Sequence, residues 1–243
     1  MKWHNILISI LLLSYLILLG GGLGAHMLMG GPPPDMPWTA PLFLFLAGAI
    51  VIIAADKDQR FPLLLVGILG FTAEVIGVYS GVIFGSYEYT EALSPNVLEV
   101  PLVMVSAWLV LVAYVWQMLT RLVYARWKLV VLAGIWMTVI DLVLDPLAAG
   151  DLGYWTWTGT GIYYGIPDHN FLGWFLISVI VFSILPKTWA TNFWGLHIGL
   201  SIIVFFTTLA WLHGLVVAGI VGLSLLILHV GLRYKEKTIN PAG

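Results

Sequence analysis

The sequence predicts an all-α fold: a polytopic membrane helical bundle of about eight transmembrane helices, forming a single domain over residues 1–243. Three observations predict it. Of the 243 residues, 60% are hydrophobic and only 9% are charged, far less charge than a soluble domain of this size needs on its surface. Eight apolar tracts divide the chain. All ten Lys and Arg lie at alternate ends of those tracts.

The tracts run roughly 6–29, 38–55, 61–84, 100–119, 129–149, 171–185, 193–212 and 215–232. Each can form a helix across ~30 Å of hydrocarbon, the long ones with tilt and the short ones with burial or snorkelling. The first follows Lys2 and has an alternative reading as a cleaved signal peptide. Its length and the lack of an Ala-x-Ala site around Gly20–Gly24 favour a retained span. The last two cover 40 residues, ~60 Å as one helix. That is about twice the bilayer, so the chain must fold back, and His213-Gly214 is the plausible hairpin.

The cations set the orientation. Lys2 precedes span one. Lys57 and Arg60 lie between spans two and three, Arg121, Arg126 and Lys128 between four and five, and Lys187 between six and seven. Arg233, Lys235 and Lys237 follow span eight. With eight spans all ten share one side, which the positive-inside rule names cytoplasmic. The expected placement is therefore a multi-pass protein of the cell membrane with both termini cytoplasmic.

Composition also excludes. A net charge of −2 supplies no basic field for nucleic acid. The absence of cysteine removes disulfides, thiolate nucleophiles, Fe–S clusters and thiolate–metal sites. The six histidines include no pair three or four residues apart. No helical turn therefore offers a paired metal site, and the clustered-histidine pattern of membrane di-iron oxygenases is missing.

The acids are distributed differently. Only Asp56, Asp58 and Glu236 share the side of the cations. Glu74 lies 13 residues after Phe61, and Asp141 lies 13 after Lys128. Both are thus ~20 Å from the cytoplasmic surface, at or past mid-membrane. Asp145 falls on the same helix face as Asp141, one turn on. No cation is placed to neutralise them. An unpaired carboxylate in lipid is costly, so these groups should be protonated, hydrated or hydrogen-bonded together. A structural reading makes Asp145 a local hydrogen-bonding partner before Pro146, and Glu74 and Asp141 interhelical hydrogen-bond glue. The functional reading makes them a proton-transfer site.

Spans three–four and five–six look like two copies of one parallel unit. Glu74 leads to FGSYEY at 84–89, Pro101 and Trp108. Asp141 leads to LGYWTW at 152–157, Pro167 and Trp174. Acid-to-proline spacing is 27 and 26 residues, and proline-to-tryptophan spacing is 7 in both. Repeats in membrane proteins often place the site at their interface. The connecting segments 85–99 and 150–168 carry Tyr and Trp but no Lys or Arg. An interfacial aromatic belt is the ordinary explanation. The alternative is an aromatic lid over an apolar channel, whose ring faces stabilise a cation without trapping it.

The motifs EVIGVYSG at 74–81, FGSYEY at 84–89, VP at 100–101, DLVLDP at 141–146 and YGIPDHNFLGW at 164–174 resemble those of the integral-membrane carotenoid hydratases, a family of bisanhydrobacterioruberin and acyclic carotenoid-end hydratases. The likeness covers about residues 60–180, with the catalytic core expected over about 61–185. It implies addition of water to the terminal isopropylidene C=C of a long acyclic carotenoid, of the bisanhydrobacterioruberin type (C50) or the lycopene or γ-carotene type (C40), giving a tertiary alcohol. No cofactor or metal is required by that chemistry. The expected partners are a polyene, water, the lipid bilayer and other membrane enzymes of the carotenoid pathway.

Such a reaction needs two carboxyl groups, one protonated and one ionised. Asp141 is the expected proton donor, being deep and unpaired. Glu74 or Asp145 would position and deprotonate water. Tyr79, Tyr87, Tyr89, Trp155 and Trp157 are candidates for lining the cation site, and Asn170 for binding water or simply beginning helix six. Asp168 is expected as the N-cap of that helix. Rival readings are a proton-initiated cyclase or isomerase, a proton-coupled transporter using Glu74 and Asp141 as a relay, and a non-catalytic pigment carrier.

Overall fold

Backbone polar groups in hydrocarbon must be satisfied within their own segment, so apolar tracts of this length become helices. A computed structural model describes residues 2–120, 122, 125–186 and 192–239. Among these residues are the helices α1 (Lys2–Met29), α2 (Thr39–Ala54), α3 (Lys57–Ser80), α4 (Val103–Leu119), α5 (Arg126–Ala149), α6 (Asp168–Ile184), α7 (Phe193–Leu212) and α8 (Val216–Ile239). Five of them, α1, α3, α5, α7 and α8, are long and apolar enough to cross a membrane. The other three are apolar but shorter, at 16 or 17 residues. The bundle is thus all-α and polytopic in character. Four short strands, β1 (Tyr87–Tyr89), β2 (Asn96–Val97), β3 (Val100–Pro101) and β4 (Trp155–Trp157), pair as β1–β4 and β2–β3, both antiparallel.

Helix α4 is the axis of the bundle. Nearly all its side chains are buried, and α2, α3, α5 and α7 pack on it. The most extensive helix pairs are α3 with α4 and α5 with α6, the two units read from the repeat. Close approach of α3 to α4 depends on Gly67 and Gly70. A Cβ at Gly67 would strike Val105, and one at Gly70 would strike the Trp108 ring.

Helix ends differ from the hydropathy tracts where turn chemistry takes over. The third tract reaches Phe84, yet α3 stops at Ser80. Gly81 adopts φ +64°, and its N–H closes on the Gly77 carbonyl at 2.8 Å, a left-handed C-cap that only glycine takes without strain. Tract four begins at Val100, but Val100–Pro101 is strand and α4 starts at Val103. The expected hairpin holds: α7 ends at Leu212, and Gly214 turns the chain at φ +73° into α8. His213 there bonds His26 of α1 at 3.0 Å and Asp151, beyond α5, at 3.2 Å.

Two cations act as helix caps. Arg60 donates to the carbonyls of Ile53 and Ala55 at the end of α2. Arg126, at the start of α5, donates to those of Phe182, Ser183 and Leu185 at the end of α6. This satisfies carbonyls that a helix terminus leaves open. Arg121 and Lys187 lie outside the described residues. The N-cap expected at Asp168 is Pro167 instead. Asp168 occupies the first turn of α6, where its charge faces the positive end of the helix dipole.

Candidate active site

Three buried carboxyls, Glu74, Asp141 and Asp145, come together under the aromatic strand pair. Glu74 is 5% exposed, Asp141 and Asp145 1% each, and Asn170 2%. Alternate residues of a strand point to one face, so Tyr87 and Tyr89 of β1 aim the same way. Both hydroxyls donate to Glu74 Oε2, at 2.5 and 3.0 Å. The Trp108 Nε1 of α4 donates to Glu74 Oε1 at 3.1 Å.

The second unit repeats this clasp with different donors. Trp155 and Trp157 of β4 both donate from Nε1 to Asp145 Oδ1, at 2.8 and 3.2 Å. The strand register pairs Tyr87 with Trp157, Glu88 with Thr156 and Tyr89 with Trp155. The equivalent residues of the two units therefore meet about a pseudo-two-fold axis, with Glu88 and Thr156 exposed on the other face. Ring pairs follow the register: Tyr87 lies 5.0 Å from Trp157 and Tyr89 5.7 Å from Trp155. Trp108 and Trp174, the tryptophans of the matched proline-to-tryptophan spacing, stack at 4.7 Å with their planes 9° apart.

Symmetry corrects the sequence alignment. By its hydrogen bonds the counterpart of Glu74 is Asp145, not Asp141. Asp141 is an additional carboxyl, one turn deeper in α5. One turn deeper than Glu74 in α3 stands Gly70, covered by Trp108.

Asn170, in the first turn of α6, joins the two aspartates. Its Nδ2 donates to Asp141 Oδ2 at 2.7 Å and to Asp145 Oδ2 at 2.6 Å. The donors around Glu74 and Asp145 are neutral, which lets these acids lie in the bundle without a cation. Burial, with the Glu74 carboxyl beside them, holds the Tyr87 and Tyr89 hydroxyls well above the usual phenol range, so both stay protonated donors.

Two cavities flank this cluster. The first, about 380 Å³, is lined by Glu74, Asp145 and Asn170 together with Tyr87, Tyr89 and Trp157. The second, about 590 Å³, is almost wholly apolar: Leu44 of α2, Leu111 of α4, Leu144 of α5, and Ile202 and Phe206 of α7 line it. Asp141 stands in its wall. Met104, Ala107, Trp155 and Trp174 border both cavities. Among the described residues, no three His, Asp or Glu side chains are arranged to hold a metal ion.

Of the residues singled out from sequence, Glu74, Asp141, Asp145, Tyr87, Tyr89, Trp155, Trp157 and Asn170 meet here. Tyr79 does not. It lies five residues after Glu74, roughly 140° around the helix at 3.6 residues per turn, and is 65% exposed. Sequence reasoning passed over Trp108, Trp174, Met104 and Ala107 as site residues. The repeated seven-residue spacing from proline to tryptophan was the available signal for the first two.

No curated protein and no solved structure matches the chain. The model of a family described as carotenoid biosynthesis protein matches residues 37–230. That stretch takes in α2 to α7, most of α8 and every carboxyl of the cluster. The chain belongs to the carotenoid biosynthesis protein family.

Proposed function

We propose that this chain is a carotenoid hydratase, a cofactor-independent hydro-lyase that adds water to the terminal isopropylidene C=C of a long acyclic carotenoid. One observation carries the reading: a carboxyl stands in the wall of an apolar cavity that adjoins a second cavity lined by two carboxyls and an amide. The apolar cavity suits the end of a hydrocarbon chain.

Asp141 donates its proton to the less substituted carbon of the double bond, leaving a tertiary carbocation. Trp155 and Trp174 border the cavity in which that charge forms, and their rings stabilise it. Water from the carboxyl-lined cavity adds to the cation, and a carboxylate there takes the released proton. Two carboxyls and an amide in the adjoining cavity favour water capture over cyclisation, which must keep water out. The same reading puts both termini on the cytoplasmic side of the cell membrane, with the aromatic strand pair and the site toward the far leaflet.

The test is expression in a host that accumulates acyclic carotenoids, with pigment masses as readout. Wild type is expected to add one water per reacting end. Asp141→Asn is expected to reduce product by at least about a hundredfold while the protein still inserts and still retains polyene. Undiminished hydration by Asp141→Asn, or a product of unchanged mass from wild type, overturns the proposal.

A further inference from the structure

The hydratase reading leaves open which carboxylate takes the proton of water and how Asp141 regains its own. We propose that Asp145 is the base, and that Asn170 is a positioning residue tying it to Asp141, so that the proton taken from water returns to Asp141 inside the site. The proposal rests on the hydratase reading.

Three features point this way. Asn170 Nδ2 has two protons and gives one to each aspartate, bonding the Oδ2 atom of both. Those two oxygens sit on one nitrogen and one helix face, a turn apart. Glu74, in contrast, is bonded by Tyr87, Tyr89 and Trp108. None of these donors reaches another acid, so a proton taken up by Glu74 has no such way back.

The second feature is donor chemistry. Indole N–H and amide N–H groups can only donate. Trp155, Trp157 and Asn170 therefore hold both Asp145 oxygens as acceptors, the arrangement of a carboxylate. The third is placement. Asp145 and Asn170 line the first cavity, and Asp141 lines the apolar second one. The pair thus spans the boundary between the two cavities.

The cycle balances. The Asp141 O–H bond breaks, and the alkene π pair forms a C–H bond at the CH carbon of R–CH=C(CH3)2. Water oxygen bonds the tertiary cation, and its proton passes to Asp145. Asp145 then returns a proton to Asp141. Alkene and water become a tertiary alcohol, both aspartates end as they began, and no oxidant or reductant enters.

The experiment uses the full chain in lipid vesicles, an acyclic polyene and heavy water, with deuterium in product and in recovered substrate as readouts. Wild type is expected to give alcohol with one deuterium on the carbon next to the carbinol. Asp145→Asn still protonates but does not capture water, so the cation gives back a proton. Hydration is expected to fall about a hundredfold or more while recovered substrate gains deuterium at its terminal vinyl CH. Asp141→Asn is expected to show neither reaction. Glu74→Gln is expected to turn over more slowly with a wild-type ratio of exchange to hydration. Asn170→Ser, with one donor proton in place of two, is expected to lower kcat about tenfold or more, leave KM within about twofold, and raise that ratio.

Exchange without hydration in Glu74→Gln rather than Asp145→Asn overturns the proposal and leaves the hydratase reading intact. So does loss of both reactions in Asp145→Asn protein that still retains polyene. Should that variant fail to retain polyene, an unchanged ratio in Asn170→Ser overturns it. Wild type that never forms an alcohol refutes the hydratase reading itself.

Discussion

Tyr87→Phe removes one oxygen from the strand pair and keeps the ring, so its packing on Trp157 at 5.0 Å and Tyr89 at 5.5 Å survives. What is lost is the 2.5 Å hydrogen bond to Glu74, which keeps only Tyr89 and Trp108 as donors. A hydrogen bond to a charged group contributes about 1.5–3 kcal/mol. Two donors remain, so the lower half of that range applies. In a chain of this length that lowers the unfolding midpoint by about 3–8 °C. The assay is thermal unfolding in detergent, run as two double-mutant cycles. Coupling between Tyr87→Phe and Glu74→Gln should reach about 1 kcal/mol or more. Coupling between Tyr87→Phe and Asp145→Asn should stay within about 0.5 kcal/mol, because the two share no hydrogen-bond partner. Equal couplings in the two cycles would refute the division into separate clasps.

Ala107 borders both cavities, so Ala107→Phe should close the passage between them. Hydration by a protein that still inserts should fall at least about tenfold, and pigment analysis of the host checks it; product at the wild-type level would mean the two cavities do not work together. Gly70→Val should force α3 from Trp108, costing about 1–3 kcal/mol of stability as overpacking does, measured by the same thermal assay. The hydroxyls of Tyr87 and Tyr89 also set a pH limit. Their folded-state pKa values lie above the ordinary value of about 10, through burial first and the Glu74 carboxyl second. The unfolded chain loses those protons sooner, so stability should be level below about pH 10 and fall above it, by about 1.4 kcal/mol per pH unit for each hydroxyl. Tyr87→Phe should reduce that slope.

Helices were legible because each reports locally on itself. Twenty apolar residues need no neighbour to declare a span, and the 193–232 tract betrayed its hairpin by length alone. The loops were less legible because pairing decides their shape. Residues 85–99 read as one aromatic connection, yet Tyr87–Tyr89 is a strand only through its partner 68 positions away. The acids were found by depth and by the absence of cations. Their partners were not, since sequence spacing cannot weigh side-chain reach. A tyrosine hydroxyl and an indole N–H extend to different depths, so acid-to-proline spacings of 27 and 26 residues match Glu74 with Asp141 while the hydrogen bonds match it with Asp145. Tyr79 shares α3 with Glu74, and the 100° step of the helix carries it to the outer face.

The departure from symmetry is what distinguishes the two units. Each holds one acid under an aromatic strand, clasped by neutral donors: Glu74 by two tyrosines and a tryptophan, Asp145 by two tryptophans and an asparagine. A frame built twice in this way accounts for two of the three carboxyls of the cluster as parts of the architecture. The third has no counterpart. Where the first unit has Gly70, which lets Trp108 settle on α3, the second has Asp141, and its tryptophan, Trp174, stacks across the axis on Trp108 instead. An acid that the frame does not require, standing in the wall of the apolar cavity at the boundary between units, is the one whose burial needs an explanation other than folding. In the hydratase proposal, proton donation to a hydrocarbon supplies it. On this argument, Asp141→Asn, which keeps an oxygen for the Asn170 donor, should cost hydration and spare stability, whereas Asp145→Asn, whose two oxygens both accept, should cost both.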